Sequence, residues 1–86
     1  MKTVSKMNNV EFGRFLRMDR ISSGLSIRDV AKATSLSDGI VRFIETNFRN
    51  PSPRSRSILE SVLFQFPELK AQKDEKRAYR KAQRVV

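Results

Sequence analysis

The apolar positions of this 86-residue chain recur three and four residues apart, in short bursts separated by breaks rich in serine, glycine or proline. That spacing puts each burst on one face of a helix. The first burst is Phe12 and Leu16 with either Phe15 or Asp19, widened by Phe15, Met18 and Ile21. It predicts a helix from a cap at Asn8 or Asn9 to about Ser22. Asp19 falls where the face should still be apolar, so either the helix is rotated slightly or Asp19 pairs with a neighbouring arginine. Residues 1–7 lack the pattern and are expected to fray. Ser22-Ser23-Gly24 closes the helix, with Gly24 suited to the left-handed conformation of a helix C-terminus.

Two short helices follow. Ser26, with Asp29 three residues on, makes a near capping box for a helix over about Ile27–Ala33, whose apolar side is Ile27, Val30 and Ala31. Thr34-Ser35-Leu36 is a tight turn. Ser37 caps the next helix, and Asp38 in its first turn suits the helix dipole. Ile40, Val41 and Ile44 are expected to pack inward, leaving Asp38, Gly39, Arg42 and Phe43 largely on the opposite side. Asn47 is a second candidate for a left-handed helix end.

Phe48 to Pro53 reads as a loop stiffened by two prolines. Ser52 and Pro53 then have the chemistry of an N-cap and first helical residue. Ile58, Leu59, Val62, Leu63 and Phe66 make the stripe of a fourth helix, which Phe66-Pro67 is expected to break. Arg54 and Arg56 stand in its first turn, where the dipole disfavours cations, so an anion nearby is one reading and solvation the other. Residues 68–86 have hardly any stripe: Leu69, Tyr79, Val85 and Val86 are their sizeable apolar groups. They predict a partly helical, mobile basic extension beyond a single domain at 8–67.

Charge changes the picture more than composition does. Eighteen Lys and Arg oppose nine Asp and Glu, a formal +9. Residues 1–66 carry eleven basic and six acidic groups and residues 67–86 seven and three, so the excess is spread over the chain. Such a chain attracts polyanions through a long-range, salt-sensitive field. Solubility alone is the blander explanation. Histidine and cysteine are absent. That removes the commonest general base, the commonest metal ligand and all thiol chemistry. No catalytic constellation is left, so no enzyme activity, metal or cofactor is expected. No apolar run approaches the roughly 20 residues that span a bilayer, and the N-terminus has no signal-peptide core, so no membrane role is expected.

The run FGRFLRMDRISSGLSIRDVAKATSLSDGIVRFIETNFRNPS resembles the Xre/Cro/phage-repressor (λ repressor-like) family of helix-turn-helix proteins. The matching letters are Phe12, Gly13, Leu16, Arg17, Arg20, Gly24, Leu25, Ser26, Val30 and Ala31. They continue through Leu36, Ser37, Val41, Ile44 and Glu45 to Asn50-Pro51-Ser52, so the match covers about residues 10–66. It departs at Ser35 and Asn47, where the family usually has glycine, and at Ile27, where a phosphate-clamping glutamine is common. The implied fold is all-α, a compact bundle of four or five helices whose third helix enters the major groove.

The resemblance assigns roles. Arg20 and Glu45 would form a buried structural ion pair. Ser37, Asp38, Gly39, Ile40, Arg42 and Phe43 match the base-reading positions. Arg42 suits guanine, with a phosphate contact or solvation as the alternative. Asp38 either accepts from cytosine or caps its helix, and Phe43 either meets a thymine methyl or packs inward. Arg17, Ser26, Arg28, Asn47, Arg49, Asn50, Arg54 and Arg56 would contact the DNA backbone. Leu63, Phe64, Phe66 and Leu69 would form a dimer contact, with packing beneath the tail as the alternative for the off-stripe Phe64. The expected function is sequence-specific binding of double-stranded DNA by a homodimer at a palindromic operator. That describes a transcriptional regulator, a repressor of prophage, plasmid or integrative-element type, in the bacterial cytoplasm at the nucleoid. The rivals are an antitoxin whose basic tail folds on a partner protein, and a helix-turn-helix interaction module or coactivator.

Overall fold

The local signals set the helix boundaries. The computed structural model describes residues 3–83 and contains, among them, five α-helices and no strand. Helix α1 runs Asn9–Ser22, α2 Ile27–Thr34, α3 Asp38–Glu45, α4 Pro53–Leu63 and α5 Phe66–Gln83. Asn8 starts α1 with a reciprocal capping box: its Oδ1 accepts from the Glu11 N–H at 2.8 Å, and Glu11 Oε1 accepts from the Asn8 N–H at 3.2 Å. Ser26 and Asp29 repeat the device on α2 at 3.0 and 2.8 Å. Ser37 and Ser52 accept from the N–H of the third residue of α3 and α4, Ile40 and Ser55, and Pro53 opens α4. Each cap satisfies donors that the first turn of a helix cannot pair.

Helix ends depend on left-handed residues. Gly24 has φ 70°, and the N–H of Leu25 reaches back to the Arg20 carbonyl, turning the chain sharply into α2. Ser35 (φ 60°) and Asn47 (φ 62°) adopt the same region after α2 and α3. Serine bears a steric penalty there that glycine avoids, and Asn a smaller one.

α1 packs on α3 and α4, and α2 on the same two helices. Their shared core is centred on Phe12, Leu16, Val30, Val41, Leu59 and Phe66, all essentially inaccessible. Gly13 lets α1 and α3 approach closely. A Cβ on it would overlap the Ile44 carbonyl oxygen and lie 2.9 Å from Asn47 Oδ1.

Several expectations need correction. Val4–Lys6 form a 3-10 turn instead of fraying, and Val4 and Met7 pack on the core edge. Ile40 points outward, 40% exposed, because Val41, Ile44 and Glu45 take the inward side of α3. Asp19 is half-buried with no ion pair among the described residues, and burial raises its carboxyl pKa above the ordinary value. Phe66-Pro67 starts a helix and does not end one: α4 stops at Leu63, and Pro67 lies in the first turn of α5, where its missing N–H costs nothing. The tail is helical through Gln83, whereas Val85 and Val86 lie outside the described residues. Leu63 and Phe66, assigned to a dimer contact, are buried in the chain's own core. Leu69 packs partly against that core, and Phe64 alone of the four is freely exposed, at 84%.

α5 stands apart from the other helices. Past Phe66 and Leu69 it offers no apolar side chain to the core, and at 1.5 Å per residue its 18 residues extend about 27 Å. The molecule is accordingly elongated, 50 × 27 × 18 Å.

Candidate nucleic-acid interface

α3 is held from behind. Val41 and Ile44 bury into the core, and Glu45 closes a bidentate ion pair with Arg20, at 2.7 Å from Nε to Oε2 and 2.9 Å from Nη2 to Oε1. The remaining guanidinium nitrogen, Nη1, donates to the Leu25 carbonyl at 2.9 Å. This arrangement fastens α1, the α1–α2 turn and α3 to one another. The pair is almost fully shielded, and no buried side-chain polar atom among the described residues lacks a partner. Full satisfaction is what makes burying two charges tolerable.

The outward side of α3 presents Ser37, Asp38, Gly39, Ile40, Arg42 and Phe43, all exposed. The Ser37 hydroxyl accepts from the Ile40 N–H, so it acts as a cap while its O–H donor and one lone pair remain. Asp38 lies in the first turn, where its charge favours the helix dipole. A Cβ on Gly39 would meet the Phe43 ring and Ser37 Oγ at 4.0 Å each, ordinary van der Waals contact, so the position is not crowded. No hydrogen bond or ion pair engages the Arg42 side chain among the described residues, while its backbone carbonyl receives the Thr46 hydroxyl at 2.9 Å.

Phe43 does not pack into the core. It is 37% exposed and stacks on Phe48 with ring centroids 5.2 Å apart. The Arg49 guanidinium lies 5.9 Å from its ring centre. The N–H groups of Phe48 and Arg49 both return to the Phe43 carbonyl, folding the loop back over the end of α3. A phenylalanine and an arginine assigned separately from the sequence thus form one outer cluster. Phe48, which carried no assignment, completes it. Its signal was the aromatic residue five positions after Phe43 combined with the left-handed Asn47 between them.

The expected backbone-contacting residues divide in two. Arg17, Ser26, Arg28, Asn47, Arg49, Asn50 and Arg54 are exposed. Arg56 is not available. Its Nε pairs with Glu60 at 3.1 Å, Nη1 donates to Asn9 Oδ1 at 2.7 Å, and Nη2 donates to the carbonyls of Val4 and Met7. Its guanidinium also lies 4.7 Å over the Phe12 ring. The anion implied by a cation in the first turn of α4 is therefore internal: a carboxylate and three oxygen acceptors, two of them backbone carbonyls of the N-terminal turn.

A second charged feature joins α2 to α5. Lys73 Nζ lies 2.7 Å from Asp29 Oδ2 and 3.3 Å from the Gly24 carbonyl. Burial pushes the Asp29 carboxyl up, but hydrogen bonds from Lys73 and Ser26 together with the Lys73 charge outweigh it. The net pKa falls below the ordinary carboxylate value.

Among the described residues, no cluster of His, Cys, Asp or Glu is able to hold a metal ion, and no helix is long and apolar enough to cross a membrane. Comparison with known proteins adds no identification: no family model, no curated protein and no solved structure matches the chain.

Proposed function

We propose that this protein is a sequence-specific double-stranded DNA-binding regulator of transcription, with α2 and α3 acting as a λ repressor-like helix-turn-helix. The observation that carries the reading is the division of labour on α3. One side is fixed to the body by Val41, Ile44 and the Glu45–Arg20 pair, while the other offers a run of exposed residues around an uncommitted arginine. A helix of this kind fits the major groove, where its N-terminal residues reach base edges.

In this reading Arg42 donates two hydrogen bonds to guanine O6 and N7, the commonest specific contact in the groove. Phe43, steadied by Phe48 and Arg49, supplies an apolar surface for a thymine methyl. Arg17, Arg28, Arg49 and Arg54 neutralise phosphates and fix the register without reading sequence. Arg56 has no part in binding. Phe64 is the surface left for a homodimer, which would read a palindrome with half-sites about one helical turn apart. In this reading the protein represses by occupying promoter DNA, and the bacterial nucleoid is its setting.

Selection from a random duplex pool, followed by salt-titrated binding to the enriched site, tests it. The expected outcome is an inverted repeat bound with a steep salt dependence. Arg42→Ala is expected to cost ~1–3 kcal/mol and relax selectivity at one base position, whereas Arg49→Ala weakens all duplexes about equally. A pool that remains unenriched, together with a flat salt response, overturns the proposal.

A further inference from the structure

Between α2 and α5 runs an open groove of about 510 Å³ that contributes nothing to the α3 surface. Its apolar lining is supplied by Leu25, Ala33 and Leu69, with Ala33 exposed, Leu69 half-buried and Leu25 almost fully buried. Its walls carry Lys32 from α2 and Lys76, Arg77 and Arg80 from α5. Its one carboxylate, Asp29, is already neutralised by Lys73. None of the four other cations has an ion-pair partner among the described residues. The groove therefore combines a strong positive potential with a strip of apolar surface that solvent does not stabilise.

We propose that this groove is the docking site for an acidic amphipathic segment of a partner protein, one that presents apolar side chains to Leu25, Ala33 and Leu69 and carboxylates to Lys32, Lys76, Arg77 and Arg80. Charge complementarity selects this occupant. A second copy of the chain is a poor fit, because it is itself strongly basic and several of its carboxylates are spent internally: Glu45 on Arg20, Glu60 on Arg56, Asp29 on Lys73 and Glu11 in the α1 capping box. A nucleic-acid backbone satisfies the cations but leaves the apolar part of the lining without a partner. An acidic helix or extended segment satisfies both, by the groove-and-anchor mode of peptide recognition. The projecting half of α5, unburied from Asp74 to Ala82, becomes the wall that the incoming segment covers.

The test uses the full chain and three labelled probes: an amphipathic Leu/Glu peptide, a polyglutamate of equal length, and a random-sequence DNA duplex. The amphipathic peptide is expected to bind at least about tenfold more tightly than polyglutamate, and to be weakened about tenfold or more by the double charge reversal Lys76→Glu/Arg80→Glu. Ala33→Asn, a neutral polar change on the exposed side of α2, should weaken the amphipathic peptide and leave polyglutamate unchanged. Circular dichroism establishes that each variant is folded. A second pair, Lys76→Gln/Arg80→Gln, repeats the measurement with the smaller change should the reversal disturb α5. Arg42→Ala should leave peptide binding intact, which separates this inference from the DNA reading. Equal affinity for both peptides overturns the proposal, because charge alone would then suffice. So does a loss of duplex binding in the α5 variants as large as the loss of peptide binding, which would assign the groove to nucleic acid.

Discussion

The body formed by α1–α4 and the long helix α5 use the same side-chain types and treat them differently. In the body, charged groups work from inside. Arg20 and Glu45 are almost fully shielded, and Arg56 gathers Glu60, Asn9, the N-terminal carbonyls and the Phe12 ring. On α5, among the described residues, one sizeable apolar residue is buried (Phe66), another is half-buried (Leu69), and one partly exposed ion pair joins Lys73 to Asp29. Shielding decides what each pair can do. Charges in a low-dielectric interior interact strongly and are costly to separate, while those at the surface gain little over water. The body should therefore unfold as a unit, and α5 should loosen on its own.

The largest effect should come from separating Arg20 and Glu45. Glu45→Gln leaves the guanidinium buried with one bidentate partner gone, and is expected to cost ~3–5 kcal/mol in urea-induced unfolding. Because the pair ties α1 to α3, duplex binding should fall with it. A loss below 1 kcal/mol would mean that the interior pair behaves like a surface pair, and the contrast with α5 would collapse.

Gly13→Ala comes next. The added methyl meets backbone at the Ile44 carbonyl, which cannot swing aside as a side chain can. Overpacking of this sort costs typically ~1–3 kcal/mol, and here it should separate α1 from α3. Thermal melting of the variant, with duplex affinity measured well below the midpoint, distinguishes a weakened fold from a displaced α3.

Arg56→Gln is expected to cost about as much, ~1–3 kcal/mol, by stripping several charge-assisted hydrogen bonds. It should also release the N-terminal turn, seen as faster amide exchange at Lys6 and Met7, whose N–H groups close that turn. If Arg56 were a phosphate contact, the variant would instead lose duplex affinity with its stability unchanged.

Arg56 also illustrates what the sequence could not convey. Helix starts and stops were legible because their chemistry is local: Asn8, Ser26 with Asp29, Ser37, Ser52-Pro53, Gly24 and Asn47 act within four residues of themselves. The Arg20–Glu45 pair was legible through resemblance alone, since no spacing rule links residues 25 positions apart. Apart from Glu60, four positions on, the hydrogen-bond partners of Arg56 lie 47 to 52 positions away and include backbone carbonyls, which leave no trace in side-chain pattern. Phe66-Pro67 misled for a different reason. Proline terminates a preceding helix and initiates a following one with the same ring, and only the packing of Phe66 decides between them. Ile40 misled because Glu45, a charged residue, takes the inward position on α3 that hydrophobicity alone would give to an isoleucine.

The smallest effect should be at the α5 tether. Lys73→Ala removes a partly exposed pair and is expected to cost under about 1 kcal/mol of global stability. Its signature should be local: faster amide exchange along α5 beyond Leu69, with α1–α4 protection unchanged. Acid should reproduce it. The Asp29 carboxyl is held below its ordinary pKa, so its contribution is complete above the unfolded-state value and disappears as pH falls through the lower folded-state value. Asp19 acts in the opposite sense. Its raised pKa makes the folded state less favoured as pH rises through the carboxylate range, so Asp19→Asn should flatten that part of the stability profile without affecting α5. If Lys73→Ala instead unfolded the entire chain, α5 would belong to the body's cooperative unit, and the groove beside it would have a fixed wall in place of a movable one.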